Sequence, residues 1–542
     1  MWENTIAAEE SVYLSENVWP KMIYAAIFLI GLILAYVFRN FRRPENFPPG
    51  PEGLRFIGNV PLIKRLSREK GGLHLAFSSL AEQFKTSILG LQLGSDLVVV
   101  VFSEDNLAAV HLDEVFNARP NDFFSRLRTF GVCKGVTFTD GDLWLEHHKF
   151  ALKHLHQLGF GKVKVKNLIK EEISHFVKLL NNQRDDVCIT KYLARLVLNV
   201  LWTVVAGTRF SLDDPKLGRL LELMNSRSKA FDFSGGLLNR FPWMRFLAPD
   251  KSGYKLISNL NSELRNFLMD EIEKHKGTRT DEVRDFMDLY LEKIDAPGTD
   301  KGIFNEDQLV AVCLDFFIAG SHTTSDTLGF ALLAMTRYPD VQAKVQRCLD
   351  AAVLPGTAPD FTEEKGMNYV SAVLLEAMRS CFVAPTSGPR RATRTTTVGG
   401  YTIPQGTTVL MSIHSILNDK KRWSDPEMFR PERFLDNDGN ITNSDRLYFF
   451  GRGKRRCIGE ALARNFIFQF FTSLLYHFEF SAIPDKPLPT TPVAGIFLSP
   501  QPFHVNLRPR ISKQIAEPGS RFLHPVLAAE IGLEEYSTLH RR

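Results

Sequence analysis

Ten residues, Phe450-Gly451-Arg452-Gly453-Lys454-Arg455-Arg456-Cys457-Ile458-Gly459, set one cysteine in a glycine-relaxed, strongly basic loop that runs into a predicted helix. Such a loop can hold a thiolate. Lys454, Arg455 and Arg456 would lower the thiol pKa by opposing charge, and a helix from about Ile458 onward would aim free backbone N–H groups at the sulfur. Gly451, Gly453 and Gly459 let the backbone turn sharply and approach a flat ligand closely. The competing reading is a basic surface loop or nuclear-localisation patch with an incidental cysteine.

Three further groups of residues could carry chemistry or support it. Ala319-Gly320-Ser321-His322-Thr323-Thr324 is a poor helical hexamer inside an otherwise helical pattern, because glycine costs about 1 kcal/mol there and Ser and Thr compete for backbone bonds. A tolerated kink in a packed core would explain it equally. Glu376 and Arg379 stand three apart, on one helix face and within ion-pair reach. His147, His148, His154 and His156 crowd one stretch with Lys149 and Lys153. No carboxylate or cysteine completes a metal set, so a solvated helix face, or a dock for an acidic redox partner, competes with a metal site.

Phe-x-x-Gly-x-Arg-x-Cys-x-Gly, filled here by Phe450, Gly453, Arg455, Cys457 and Gly459, is the haem-binding signature of the cytochrome P450 family, which this chain resembles from about Pro48 to Arg508. The likeness is strongest to the microsomal group with vertebrate drug- and steroid-oxidising and insect hormone-oxidising members. Leu158-Gly159-Phe160-Gly161-Lys162 and the helix around Asp315 look insect-like. The resemblance implies a mainly α fold with small β-sheets, built around haem b, with Cys457 as axial ligand of the iron and Phe450, Gly451 and Arg455 beside the cofactor. It makes the 319–324 segment, Gly320 included, the oxygen-binding groove, with Thr323 helping to deliver protons. The family usually carries an acid just before that threonine, where this chain has His322; imidazole also relays protons near neutral pH. By the same resemblance Arg433, in Pro431-Glu432-Arg433-Phe434, joins Glu376 and Arg379 in a buried structural triad. Trp144 begins a Trp-x-x-x-Arg pattern that contacts a haem propionate, but His148 replaces the arginine, and Arg390 with Arg455 is the better propionate pair.

The activity implied is insertion of one oxygen atom from O2 into a lipophilic substrate, the thiolate pushing electron density toward the O–O bond. No Gly-x-Gly-x-x-Gly follows a strand, so electrons must come from NADPH through a separate NADPH-cytochrome P450 reductase, with cytochrome b5 as a further donor. An isomerase or dehydratase on the same fold is a rival that Thr323 argues against. A non-catalytic haem carrier is a second, which the substitutions at 148 and 322 favour slightly. The substrate walls are expected at Phe123–Val132, Phe231–Phe241, Cys313–Ala319, Val383–Gly388 and Gly495–Leu498, mostly apolar.

Elements must position these groups. Asn305 with Gln308 reads as a capping box opening a helix of about 32 residues that Pro339 ends. Sheet signals lie at Ile88–Phe102, Thr396–Met411 and Pro492–Leu507. Met22–Phe38 is an apolar run of about 17 residues, just long enough to span a bilayer. Acids precede it (Glu3, Glu9, Glu10, Glu16) and arginines follow (Arg39, Arg42, Arg43), which leaves residues 1–21 lumenal and the bulk of the chain cytosolic, at the endoplasmic reticulum membrane. A basic, proline-rich hinge fills 39–51, the catalytic domain 52–510, and a tail without assigned role 511–542. Six cysteines without a Cys-x-x-Cys pair fit a reducing compartment, and a net charge of +5 on 542 residues does not suggest nucleic-acid binding. With 42 Phe against 12 Tyr, the interior is suited to surrounding apolar material.

Overall fold

Alternation decides the first sheet. In Asp96–Val101 successive side chains leave the strand on opposite faces, and all of Val98 to Val101 are buried. Val98 and Val100, with Leu89 and Leu91, pack on Phe77 and Leu80 of the Leu73–Gln83 helix, whereas Val99 and Val101 face Ile88, Val409 and Met411. Covered on both sides, the run shows no polar alternation. It pairs antiparallel with Ile88–Leu93 and parallel with Thr408–Met411, whose other edge takes the short strand Arg390–Arg391, Arg390 opposite Val409. The sheet thus delivers Arg390 to the molecule's interior. The computed structural model describes residues 22–29, 31, 43–54, 57–230, 238–239, 241–353 and 357–510.

The sheet signal over Thr396–Met411 divides into that strand and a hairpin, Thr396–Val398 with Tyr401–Ile403, turned by Gly399 and Gly400 at φ of 56° and 84°. From Pro492–Leu507 only the end is strand: His504–Pro509 pairs with Phe478–Ala482 and Val187–Cys188, while Val493 and Ser499 make an isolated bridge. Helices make up most of the rest, so the expectation of a mainly α fold with small sheets holds.

The central helix spans Glu306–Arg337, 32 residues, and Asn305 caps it by accepting from the Gln308 amide at 3.0 Å. The capping box is only half made, because the Gln308 side chain turns away to accept from Gly135 N at 3.0 Å. Through the weak hexamer the helix continues, its hydroxyls bonding back to carbonyls one turn earlier, Thr323 to Ala319 O and Ser325 to Ser321 O at 2.8 Å each. Gly320 has a packing reason: a Cβ there would lie 2.4 Å from Leu201 Cδ2, so its absence lets the Thr190–Ala206 helix close in. Trp202, Phe267 and Phe317 seal that contact with ring centroids 5.4–5.8 Å apart. Asp315, mid-helix and 2% exposed, accepts from Val136 N (2.6 Å) and Thr137 N (2.8 Å) and pairs with Arg128 at 2.5 Å.

Of the expected membrane span, residues 22–29 and 31 are helical and exposed; its other residues, 1–21 and the tail 511–542 lie outside the described residues. Among the described residues no helix is long and apolar enough to cross a membrane. The proline hinge is fixed to the sheet, with Arg43 donating to Gly50 O (3.0 Å) and Gly90 N to Pro49 O (2.8 Å).

Two buried charge sets hold helices in place. Glu376 bonds Arg379 at 2.7 and 2.9 Å and Arg433 at 3.1 Å, and Arg379 also donates to Leu417 O and Pro426 O. Both Glu376 and Arg379 are fully buried, which is the geometry expected of the triad. Elsewhere His275 Nδ1 meets the Glu271 carbonyl at 2.7 Å and Nε2 the Asp285 carboxylate at 2.9 Å. Both partners accept, so both ring nitrogens donate and the ring is an imidazolium. Burial opposes that charge, but the bonds to Asp285 and Glu271 and the charges of Asp285 and Asp288 outweigh it, and the His275 pKa is raised.

Glu376→Gln strands two buried guanidiniums, and should lower unfolding stability by about 3–5 kcal/mol, read from the urea midpoint. An unchanged midpoint would show the triad to be dispensable. His275, raised above its unfolded value of about 6.5, contributes stability in full below that pH and loses it as pH rises through the folded value. His275→Gln should therefore flatten the fall of the thermal midpoint just above pH 6.5; parallel curves for parent and variant would count against the imidazolium.

Candidate functional site

The Cys457 loop takes its shape from two left-handed glycines. Gly451 and Gly453 sit at φ of 69° and 71°, and a Cβ on Gly453 would stand 2.3 Å from the His111 carbonyl oxygen. The strand of loop closes on itself through Cys457 N to Phe450 O at 2.8 Å, and the helix Glu460–His477 begins three residues past the cysteine, with Gly459 as its N-cap. The Cys457 side chain is accessible, and what it opens onto is an internal cavity that Phe450, Gly451, Arg455, His322 and Thr323 also line.

The three neighbouring cations do not act as the sequence led one to expect. Lys454 points outward and pairs with Glu114, and Arg455 turns inward. Burial pushes the Cys457 thiol up, outweighing the Gly459 and Glu460 backbone N–H groups and the Arg456 charge, all of which pull it down; Glu460 adds to the rise. Arg456 is itself paired with Glu460 at 2.6 Å. The helix start stabilises a thiolate as expected, but the loop's basic charge is largely spent elsewhere.

Arg455 lies over the Trp144 ring at 3.9 Å and donates to Asn117 O (2.8 Å) and Thr139 O (2.6 Å). Arg390 reaches Asn117 Oδ1 at 3.3 Å, and Arg119 donates to Pro389 O at 2.6 Å while its Nε is buried without a partner among the described residues. All three line the cavity. Burial and mutual repulsion push Arg455 down to about 8 and Arg390 to about 9; burial brings Arg119 to about 10, against the pull of Asp315 and Asp140. The spot is short of negative charge, and a flat ligand with two carboxylates would supply it. Haem fits that requirement: a thiol facing the cavity, glycine turns that allow close approach, and an arginine cluster with an unspent donor.

The His148 ring lies tilted against Trp144 at 4.8 Å, its pKa lowered by burial and by Arg455, and neither residue is among those lining the cavity. The other histidines of that stretch diverge: His147 bonds Tyr290 at 2.7 Å, His154 meets Gln157 at 3.2 Å, and His156 is exposed. Among the described residues the one group able to hold a metal ion is His275, Asp285 and Asp288, whose atoms already engage one another and Arg284.

On the central helix His322 Nδ1 stands 3.0 Å from Ser321 Oγ, and burial pushes its pKa down to about 4. Gly320 is not among the cavity-lining residues. One turn on, Asp326 accepts from Ser499 at 2.7 Å and is pushed up to about 7 by burial, against that bond. Ser499 ends a loop whose Ile496 and Phe497 line the cavity, as do Phe124, Ile318 and Val383 from the other expected walls. The wall expected at Phe231–Phe241 falls mostly outside the described residues; Met224, Arg227 and Ser228 of the preceding helix line the cavity there. Sequence reasoning missed Arg119, Arg128, Arg227 and Asp326. None stands in a motif, and only a buried position distinguishes them from surface charges.

A sequence model of the family described as Cytochrome P450 matches residues 48–507. The probable cytochrome P450 305a1 of Drosophila melanogaster is 40% identical over 495 residues, covering 89% of this chain and 98% of its own length. The farnesoate epoxidase of Bombyx mori is 35% identical, covering 90% of this chain and 98% of itself. Cytochrome P450 2J2 of Homo sapiens is 32% identical, with 87% and 93% covered. Likeness of this extent, joined to a cavity shaped for haem, settles the family: the chain is a cytochrome P450, an oxidoreductase that carries haem b and takes its electrons from NADPH through a reductase.

Proposed function

We propose that Cys457 is the axial ligand of the haem iron, that Arg119, Arg390 and Arg455 hold the propionates, and that the enzyme oxygenates a lipophilic substrate, a terpenoid, steroid, fatty acid or xenobiotic. The observation that carries this reading is the Cys457 thiol opening onto the same cavity as the three under-compensated guanidiniums. Bound there, haem supplies the redox centre at which dioxygen is activated. Cys457 gives up its proton on ligating the metal, so burial of the thiol is no obstacle. Trp144, held between Arg455 and His148, keeps the Arg455 fork in place.

Thr323 and His322 present a hydroxyl and an imidazole to the cavity. With a pKa near 4, His322 is neutral through the physiological range and passes protons as a neutral ring; a pH step in coupling near 6.5 is not expected from it. The largely apolar wall supports a lipophilic substrate, and the Bombyx mori relative, named for farnesoate, supports a terpenoid among the candidates. Exposed Trp243, Phe246 and Leu247, with the exposed apolar helix at 22–29, support attachment to the endoplasmic reticulum membrane by a span at 22–38 with the catalytic domain cytosolic. Exposed Lys149, Lys153 and His156 offer a basic face to NADPH-cytochrome P450 reductase or cytochrome b5.

Purified protein should show the red-shifted Soret band of a thiolate-ligated, reduced carbon monoxide complex, and Cys457→Ala should abolish it; an unaltered spectrum in the variant removes Cys457 from the iron. Thr323→Ala should keep haem but divert electrons to hydrogen peroxide, product per NADPH falling by roughly an order of magnitude, with His322→Ala weaker because water substitutes in part. Undiminished coupling in Thr323→Ala would take proton delivery away from this helix and favour an isomerase.

A further inference from the structure

Five guanidiniums line the cavity, and three of them gather where Asn117 and Pro389 meet the Cys457 loop. Arg128 and Arg227 come from two further elements. Arg128 follows the short helix Phe123–Leu127 and is 5% exposed; Arg227, on the Pro215–Ala230 helix, is 9% exposed. Phe124, Ile318 and Ile496 line the same cavity, with Ser125 and Ser228 as polar neighbours in sequence.

Their donors are not all filled. Arg128 Nη2 pairs with Asp315, but among the described residues its Nε and Nη1 are buried with no hydrogen-bond partner. Asp315 is also bound by two backbone amides. Among the described residues Arg227 has no carboxylate partner, only the Phe124 ring at 5.9 Å. Asp122, which also lines the cavity, is occupied: one oxygen accepts from Ser125 N at 2.8 Å and the other from the Asn239 side chain at 2.9 Å. What the pair lacks is therefore a bonded partner: among the described residues no carboxylate bonds the buried Arg227 charge, and two Arg128 donors stay open. Such a charge is costly unless something pairs with it. Burial, then the Arg128 charge, push Arg227 down to about 9, in keeping with a missing counter-charge.

We propose that Arg128 and Arg227 form a carboxylate-binding subsite, and that the physiological substrate is a lipophilic carboxylic acid bound as its anion. Unfilled guanidinium forks suit the planar pair of carboxylate oxygens. The apolar remainder of the wall suits a hydrocarbon body. This rests on reading the cavity as the substrate chamber of a haem enzyme. It narrows the substrate classes to those that carry an acid group.

The test compares dodecanoic acid with its methyl ester, and farnesoic acid with its methyl ester, on the purified full-length haem protein. Affinity is measured by calorimetry, which needs no haem signal, beside the Soret shift. The acids should bind roughly 10- to 100-fold more tightly than the esters, the range for hydrogen bonds to a charged group. Arg227→Leu should remove most of that preference and Arg227→Lys restore part of it; Arg128→Gln, which keeps a donor for Asp315, should weaken it. Equal affinity of acid and ester in the parent, or a preference surviving in both Arg227→Leu and Arg128→Gln, overturns the subsite. A missing thiolate Soret band would instead unseat the haem reading, while calorimetry still decides the carboxylate question.

Discussion

Asp315 lies halfway along a 32-residue helix with almost none of its surface exposed, and its oxygens bind the amides of Val136 and Thr137 and the Arg128 guanidinium. An ionised carboxylate at that depth is stable only when it is bonded in this way. The chain crossing beside it is therefore pinned to the helix. Gly135, at φ of 80°, makes the crossing feasible, since a Cβ there would stand 2.5 Å from an Asp315 oxygen. From the pinned turn the backbone reaches Thr139, whose carbonyl receives Arg455, two residues before Cys457. One buried acid thus links the central helix to the cysteine loop through a turn that belongs to neither.

Two kinds of arginine setting divide structure from ligand binding in this molecule. Arg379 and Arg433 surround Glu376, and their remaining donors reach backbone carbonyls, so every need is met within the chain. Arg119, Arg390 and Arg455 meet carbonyls and one amide side chain, but among the described residues no carboxylate pairs with them. The first set is satisfied within the fold, whereas the second keeps a buried donor open, Arg119 Nε, among the described residues. Arg128 stands between the two, paired with Asp315 yet with two donors left open among the described residues.

Local chemistry was legible in the sequence, and long-range chemistry was not. The Cys457 loop, the Asn305 cap and the Glu376–Arg379 spacing each depend on a few adjacent residues, and each stands where the spacing put it. The direction of the Cys457 shift was misread because burial, which dominates it, is not a property of the ten residues. Gly320 looked like part of a ligand groove, yet the neighbour that requires its small size is Leu201, more than a hundred positions away. Gln308 filled the capping-box position but found Gly135 instead. Arg119, Arg128 and Arg227 carry no local signal because their meaning arises from which wall they reach.

The bond between Ser499 and Asp326 ties the Ile496–Phe497 loop to the helix that bears Thr323, so the loop is displaced only if that bond breaks or the helix follows. The wall that carries Arg128 is tied to the same helix through buried Asp315, so two sides of the chamber share one support.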